Sequence, residues 1–116
     1  PAECSGGMQT RVGIARAIAM NPKYLFCDEP NSGLDPQTAI VIDNLISDIT
    51  SEYQITTVVV SHDMNSVMEA SDTIHFVHQG SIRWHGNREG LLEGGVKELE
   101  DFVFASDLMR KIRKTV

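Results

Sequence analysis

The chain has 116 residues, 41% of them hydrophobic and 22% charged, with a formal net charge of −6 at pH 7, and is at most one globular domain. This acidic balance argues against a nucleic-acid backbone or a membrane headgroup surface as the main partner, because both call for a basic face. No apolar run approaches the roughly 20 residues of a membrane-spanning helix, and the N-terminus lacks a secretory pattern, so we expect a cytoplasmic protein without a direct membrane span.

The first predicted element is a helix that starts at Ser5 and ends at the Asn21-Pro22 dipeptide. The Ser-Gly-Gly at its start combines a hydroxyl, free backbone N–H groups and the positive end of the helix dipole, which together attract phosphate. Taken alone, such a tripeptide is more often a flexible loop. Helical spacing predicts one buried face, formed by Met8, Val12, Ala15, Ile18 and Ala19.

Two adjacent carboxylates follow an apolar run at residues 24–27, which predicts a buried strand. Asp28 and Glu29 lie at the C-terminal end of this strand, and Pro30 stops it. Because ionisable groups are costly to bury at the end of an apolar strand, this pair indicates a site. The alternative is that both carboxylates simply emerge into solvent.

A helix over residues 36–53 comes next, capped by Asp35 and with Pro36 at its first position. The β-branched run at residues 55–60 then predicts a central parallel strand that is covered on both faces. Strand, helix and strand in this order form a βαβ unit. The helix face that we expect to pack on the sheet consists of Ile42, Leu45, Ile46, Ile49 and Tyr53.

Polar side chains follow both strands of the predicted unit. Asp28 and Glu29 end the first strand, and His62 follows the second. Since ligands lie outside the carboxyl ends of parallel strands, we expect these three side chains to share one edge. A lone histidine at a strand end is more often a structural hydrogen-bonding group, and its convergence with the carboxylates is what favours a functional role.

The rest of the sequence predicts a short helix over residues 64–70, a β-hairpin and two further helices. His75 and His78 are an odd number of residues apart and face opposite sides of their strand, which argues against zinc binding. The last helix, residues 96–115, is amphipathic with a basic end. A solvated terminal face explains that end, and contact with a partner or an anionic membrane is the alternative.

Taken together, the ordered motifs resemble those of an ATP-binding cassette (ABC) ATPase. The motifs are SGG at residues 5–7 with Arg11 on the same helix, LFCDEP at 25–30, SGLD at 32–35 and VVVSHD at 58–63. The resemblance implies an α/β fold, a partial P-loop NTPase core with a mainly parallel sheet and flanking helices, followed by a C-terminal β-hairpin and a terminal helix. Residues 1–116 would form the C-terminal part of one ABC ATP-binding domain.

The resemblance also implies roles for the strand-end residues. Asp28 would hold Mg²⁺, largely through water. Glu29 would be the general base that activates the attacking water. His62 would hydrogen-bond the γ-phosphate of ATP and position that water.

A second ABC ATPase subunit is implied as a partner, because in this family two subunits close head to tail around two ATP molecules. The first-helix residues Ser5, Gly6 and Gly7 would clamp the γ-phosphate of the ATP held by the partner subunit. Met8 stands where the family signature has glutamine and lacks its hydrogen-bonding capacity. The loop that bridges to the second subunit would contain Ser32 and Asp35.

The full-length protein is therefore expected to bind and hydrolyse ATP and to energise an ABC transporter through permease subunits at the inner face of the cell membrane. The SGGM form of the signature and the phenylalanine-containing helix at 99–104 resemble lipid-trafficking importers that work with MCE-type proteins. A non-transport ABC ATPase of the DNA-repair or translation type and a non-catalytic dimerisation or regulatory module are the alternatives.

The phosphate-binding loop of the family, G-x-x-x-x-G-K-[ST], does not occur in this sequence. The chain also opens at Pro1 without an initiator methionine. We therefore expect the phosphate loop and the glutamine loop to lie upstream in a longer protein. The 116 residues alone are expected to bind ATP weakly and not to turn it over.

Overall fold

The computed structural model describes residues 6–93, 96–103 and 105, and the chain divides after Ser66 into two units. Residues 97–103 and 105 are helical. The predicted helix start at Ser5 and the last helix beyond residue 105 lie outside the described residues. The remaining elements follow the predicted order: α1 (Gly6–Ala19), β1 (Tyr24–Asp28), α2 (Pro36–Glu52), β2 (Thr56–Val60), α3 (Met64–Ala70), β3 (Ile74–His78), β4 (Ser81–Gly86) and α4 (Arg88–Glu93).

In the first unit, β1 and β2 pair as a two-stranded parallel sheet. Tyr24 lies opposite Thr56, and Asp28 lies opposite Val60. The helix α2 connects the two strands, so the predicted βαβ unit is present. Both carboxyl ends lie at one edge of the sheet, where ligands bind in folds of this class.

The core of the first unit lies between one face of this sheet and the helices α1 and α2. Its centre is Ile42 of α2, which has 0% of its surface exposed. The predicted face of α2 is confirmed for Ile42 and Ile46, both buried as their one-turn spacing requires. Tyr53, by contrast, is 55% exposed. The buried cluster comprises Ile14, Leu25, Cys27, Ile42, Ile46 and Ile55.

The helix α1 turns a different face to the core from the one predicted. Met8 and Val12 are about half exposed, at 50% and 51%. Ile14 is buried, and Ala17 and Ile18 pack against the same cluster. The predicted face is therefore confirmed at Ile18 and wrong at Met8, Val12 and Ala15. The reason is that α1 carries apolar residues around most of its circumference and periodicity alone does not select among them.

The other face of the parallel sheet is apolar and exposed. Tyr24 is 65% exposed and Phe26 75%, while Leu25 and Cys27 between them are buried, as the two-residue period of a strand requires. Val58 and Val60 of β2 are also open, at 44% and 56%. The predictions of a buried β1 and a β2 covered on both faces are wrong for the described residues, since the helices of this unit cover only one face.

The second unit contains the predicted antiparallel hairpin of β3 and β4. Gln79 and Gly80 form its two-residue turn, and both have positive φ angles, 50° and 80°, as a hairpin turn of this length requires. Among the residues of this unit that the structure describes, Ile74, Leu91 and Leu99 are buried. None of the helices in the part of the chain that the structure describes is long and apolar enough to cross a membrane.

Candidate functional site

Glu29 and His62 meet at the carboxyl edge of the parallel sheet. Oε1 of Glu29 lies 2.8 Å from Nδ1 of His62. The backbone N–H of Glu29 also donates to the carbonyl of Val60 at 2.7 Å, which joins the two strand ends directly. The side chains are 34% and 73% exposed, respectively, so the pair faces solvent. The predicted convergence of the carboxylate with the histidine is present.

The backbone of Glu29 leaves β1 in the left-handed region, with a φ of 48°. This conformation is uncommon for a residue with a side chain and costs about 1 kcal/mol. Because β1 ends at Asp28, the direction of the Glu29 side chain is set by this turn and not by strand alternation. The turn therefore places a left-handed backbone conformation at the residue that contacts His62.

The contact with Glu29 changes the acid–base behaviour of His62. The hydrogen bond that the Glu29 carboxylate accepts, followed by the charges of Glu29 and Asp63, raises the pKa of the His62 imidazole above its ordinary value of 6.5. The imidazolium form therefore persists to a higher pH than in a free histidine. In that form, Nδ1–H donates to the Glu29 carboxylate.

Asp28 is the last residue of β1 and is exposed. Its carboxylate makes no hydrogen bond or ion pair with the described residues. A free carboxylate suits Mg²⁺, which prefers oxygen ligands and retains several waters when the protein supplies few. In the described ranges, no group of three or more His, Cys, Asp or Glu side chains could hold a metal ion. The role of Asp28 as a Mg²⁺ ligand stays a prediction.

Asp35 caps α2, as predicted. Its carboxylate accepts from the backbone N–H of Thr38 at 3.1 Å and from the Thr38 hydroxyl at 2.6 Å. These bonds hold the pKa of the Asp35 carboxyl below its usual value, and the bond from the Thr38 hydroxyl has the larger effect. Ser32 is exposed, and its N–H donates to the carbonyl of Glu29 at 3.1 Å. The bridging role of Ser32 and Asp35 toward a second subunit stays a prediction.

The start of α1 lies close to the loop that follows Glu29. A Cβ atom on Gly6 would be only 2.8 Å from Cδ2 of Leu34, so a residue with a side chain does not fit there without movement. Gly7 is buried and Met8 is half exposed, while Ser5 lies outside the described residues. The roles of these four residues in clamping phosphate stay predictions.

Sequence reasoning missed a cluster of polar side chains behind Glu29. Asn31, Asp43 and Ser66 come from a loop, α2 and α3, respectively, and they bind one another. They are scattered along the chain and each is an ordinary residue type for its element. Only the polar interruption at Asp43, beside the core residue Ile42, could have signalled a buried contact.

Comparisons with known proteins give a consistent family. Residues 1–32 match the family model described as ABC transporter. The chain is 39% identical over 112 residues to the methionine import ATP-binding protein MetN of Desulfitobacterium hafniense, covering 93% of this chain and 33% of that protein. It is 40% identical over 100 residues to the phosphate import ATP-binding protein PstB 2 of Aliivibrio fischeri, covering 85% and 36%.

A solved structure shows the same fold. It is a dimeric ATP-binding cassette in a post-hydrolysis state, bound to ADP and Pi, with 35% sequence identity and a TM-score of 0.66. The similarity covers 76% of this chain and 38% of that one, and confirms the predicted α/β class and the partial ABC ATPase core. The chain spans about a third of the length of the curated relatives it matches. By these matches, the chain is similar, over most of its length, to part of the ATP-binding subunits of ABC transporters.

Proposed function

We propose that this chain carries one half of the ATP-hydrolysis site of an ABC transporter subunit. The observation that carries the proposal is the 2.8 Å contact between Glu29 and His62 at the carboxyl edge of a parallel sheet. Asp28, one residue before Glu29, is exposed and free to bind a cation. A general base, a histidine and a metal-binding carboxylate at one edge fit phosphoryl transfer to water.

In this mechanism, Glu29 accepts the proton of the attacking water. His62 binds only Oε1 of Glu29, which leaves Oε2 to accept a hydrogen bond from the water. The exposed ring of His62 presents Nε2 for a phosphate oxygen, and its raised pKa favours the donor form at that position. Mg²⁺ held at Asp28 would offset the negative charge of the phosphates.

The other half of the site would come from a second subunit. The first-helix residues Ser5, Gly6, Gly7 and Met8 of that subunit would contact the γ-phosphate, with the loop of Ser32 and Asp35 at the boundary. The solved relative is dimeric and contains ADP and Pi, which supports this arrangement. ATP binding would drive closure of the pair and hydrolysis would release it.

A larger ATP-binding domain is the proposed context of residues 1–116. The apolar sheet face with Tyr24 and Phe26 exposed is suited to being covered by further protein, because parallel sheets are normally covered on both faces. The phosphate loop and the glutamine loop would lie in that further part.

Coupling to membrane permease subunits is proposed from the relatives, which are named as import ATP-binding proteins for methionine and phosphate. Those names do not support the lipid-trafficking subfamily predicted from Met8 and the phenylalanine-containing helix. We therefore propose for this chain the coupling to permeases at the membrane surface. We assign it no transported solute.

The test compares the full-length protein with the 116-residue chain. We expect the full-length protein to release phosphate from ATP in a Mg²⁺-dependent manner, and His62→Ala to reduce this release. By calorimetric titration with MgATP, the 116 residues are expected to bind weakly. Absence of phosphate release by the full-length protein would refute the function, and tight MgATP binding by the 116 residues would refute the proposed domain division.

A further inference from the structure

Three polar side chains form a closed hydrogen-bonded ring behind the Glu29–His62 pair. Nδ2 of Asn31 donates to Oδ1 of Asp43 at 2.6 Å and to Oγ of Ser66 at 2.8 Å. The Ser66 hydroxyl donates to Oδ2 of Asp43 at 2.6 Å. All three residues are half-buried, where hydrogen bonds are stronger than in water and unpaired groups cost more.

The polarity of this ring is fixed by the chemistry of its members. An ionised carboxylate only accepts, so Asp43 requires donors from both Asn31 and Ser66. The Ser66 hydroxyl donates its single hydrogen to Asp43 and can therefore only accept a hydrogen bond from Asn31. Both Nδ2 protons of Asn31 are used, which makes the amide the one group that satisfies both neighbours.

The ring connects the two loops that carry the candidate catalytic groups. Asn31 lies two residues after Glu29, and Ser66, the third residue of α3, lies four residues after His62. Asp43 is anchored on α2, where its neighbour Ile42 is completely buried. We infer that Asn31 is a positioning residue that fixes the loop of Glu29 against that of His62 through Asp43 and Ser66, an inference that rests on the function proposed above.

The local backbone explains why such a support is needed. Glu29 is held at a φ of 48°, a conformation that persists only where the surroundings impose it. The backbone contacts of this turn include the Ser32 N–H to Glu29 carbonyl bond, at 3.1 Å, and the Glu29 N–H to Val60 carbonyl bond, at 2.7 Å. The Leu34 N–H also donates to the carbonyl of Asn31, at 3.2 Å. The first two of these bonds hold the backbone at Glu29 and Ser32, on either side of Asn31, so loss of the ring should weaken them first.

Amide hydrogen exchange of the full-length protein tests this inference without any assay of activity. In Asn31→Ala, we expect the peptide covering residues 28–35 to exchange about tenfold faster, while a peptide from α1 is unchanged. Asn44→Ala is the matched control, because the exposed Asn44 lies beside Asp43 on α2 and the same atoms are deleted. Equal acceleration in both peptides, or none in either, would overturn the inference.

Variants that exchange amide and carboxylate groups separate the effect of hydrogen bonding from that of side-chain volume. Asn31→Asp keeps the shape of the side chain but places a carboxylate against Asp43, so we expect exchange as fast as in Asn31→Ala. The double variant Asn31→Asp with Asp43→Asn restores two of the three bonds with donor and acceptor exchanged, and should recover part of the protection. Full protection in Asn31→Asp alone would show that the ring has no positioning role.

Kinetics then link positioning to the proposed reaction. For Asn31→Ala we expect kcat for ATP hydrolysis to fall about tenfold with KM for MgATP changed less than about twofold, because only the geometry of Glu29 is altered. A KM effect alone would contradict the inference. If the exchange results hold but no variant or parent hydrolyses ATP, the proposed function fails and the structural role of Asn31 stands.

Discussion

His62 and Glu29 are separated by 33 positions in the sequence, yet Nδ1 of His62 lies 2.8 Å from Oε1 of Glu29. The parallel register that places Asp28 opposite Val60 brings their loops to one edge of the sheet. Both side chains are too exposed for the pair to contribute much to folding stability. Its consequences are therefore expected in proton chemistry.

The first prediction concerns the protonation of His62. Its pKa, measured by NMR titration of the ring protons, should lie above 6.5, and Glu29→Gln should bring it down toward that value. Since the folded-state pKa is the higher one, the stabilisation from the pair is fully present below pH 6.5 and disappears as pH rises through the raised pKa. Glu52→Gln, on the exposed end of α2, should leave the titration unchanged. A pKa at or below 6.5 in the parent protein would rule out the contact in solution.

The second prediction tests whether the site is shared between two subunits. In the full-length protein, Glu29→Gln removes the base and Ser5→Arg obstructs the predicted clamp, so each variant alone should be nearly inactive. Mixed in equal amounts, they should recover about a quarter of parental ATP hydrolysis, because half of the dimers are hybrids with one intact site. A mixture as inactive as its components would indicate that Ser5 and Glu29 serve the same site within one chain.

The third prediction concerns backbone conformation in the loop after Glu29. Gly33 has a φ of 76° and open space around its Cα, so Gly33→Ala should lower the unfolding free energy by about 1–2 kcal/mol through backbone strain alone. Gly13, inside α1, also has open space, and Gly13→Ala should raise the unfolding free energy by about 1 kcal/mol. Denaturant titration measures both, and stabilisation by Gly33→Ala would be inconsistent with the described turn.

The fourth prediction concerns the core of the first unit. Ile42→Ala should lower the unfolding free energy by about 2–5 kcal/mol, because Ile42 is 0% exposed and its loss leaves a cavity under the sheet. Ile40 lies on the same helix and is 56% exposed, so Ile40→Ala should change it by only about 0.5 kcal/mol. Similar losses for the two variants would place the core on another face of α2.

Local rules were sufficient to predict most of the first unit from sequence. Asp35 and Pro36 predicted the start of α2, and the β-branched run at residues 55–60 predicted β2. The polar tips of two parallel strands gave the meeting of Glu29 and His62, because parallel pairing brings carboxyl ends together whatever the details of packing.

Other features depend on contacts that no local pattern encodes. The left-handed turn at Glu29 is unexpected for a residue with a Cβ atom. The Asn31–Asp43–Ser66 ring joins residues from three elements, and each is unremarkable in its own segment. The core face of α1 and the exposed Phe26 depend on which neighbouring elements are present, and periodicity does not specify them.

The most direct test of the account is ATP hydrolysis by the full-length Glu29→Gln protein. Phosphate release should fall at least about 100-fold while MgATP affinity stays within about threefold of the parent, because only the proton acceptor is removed. The control Glu52→Gln makes the same chemical change away from the sheet edge and should retain full activity. Turnover by Glu29→Gln at the parental rate would contradict the assignment of Glu29 as the general base.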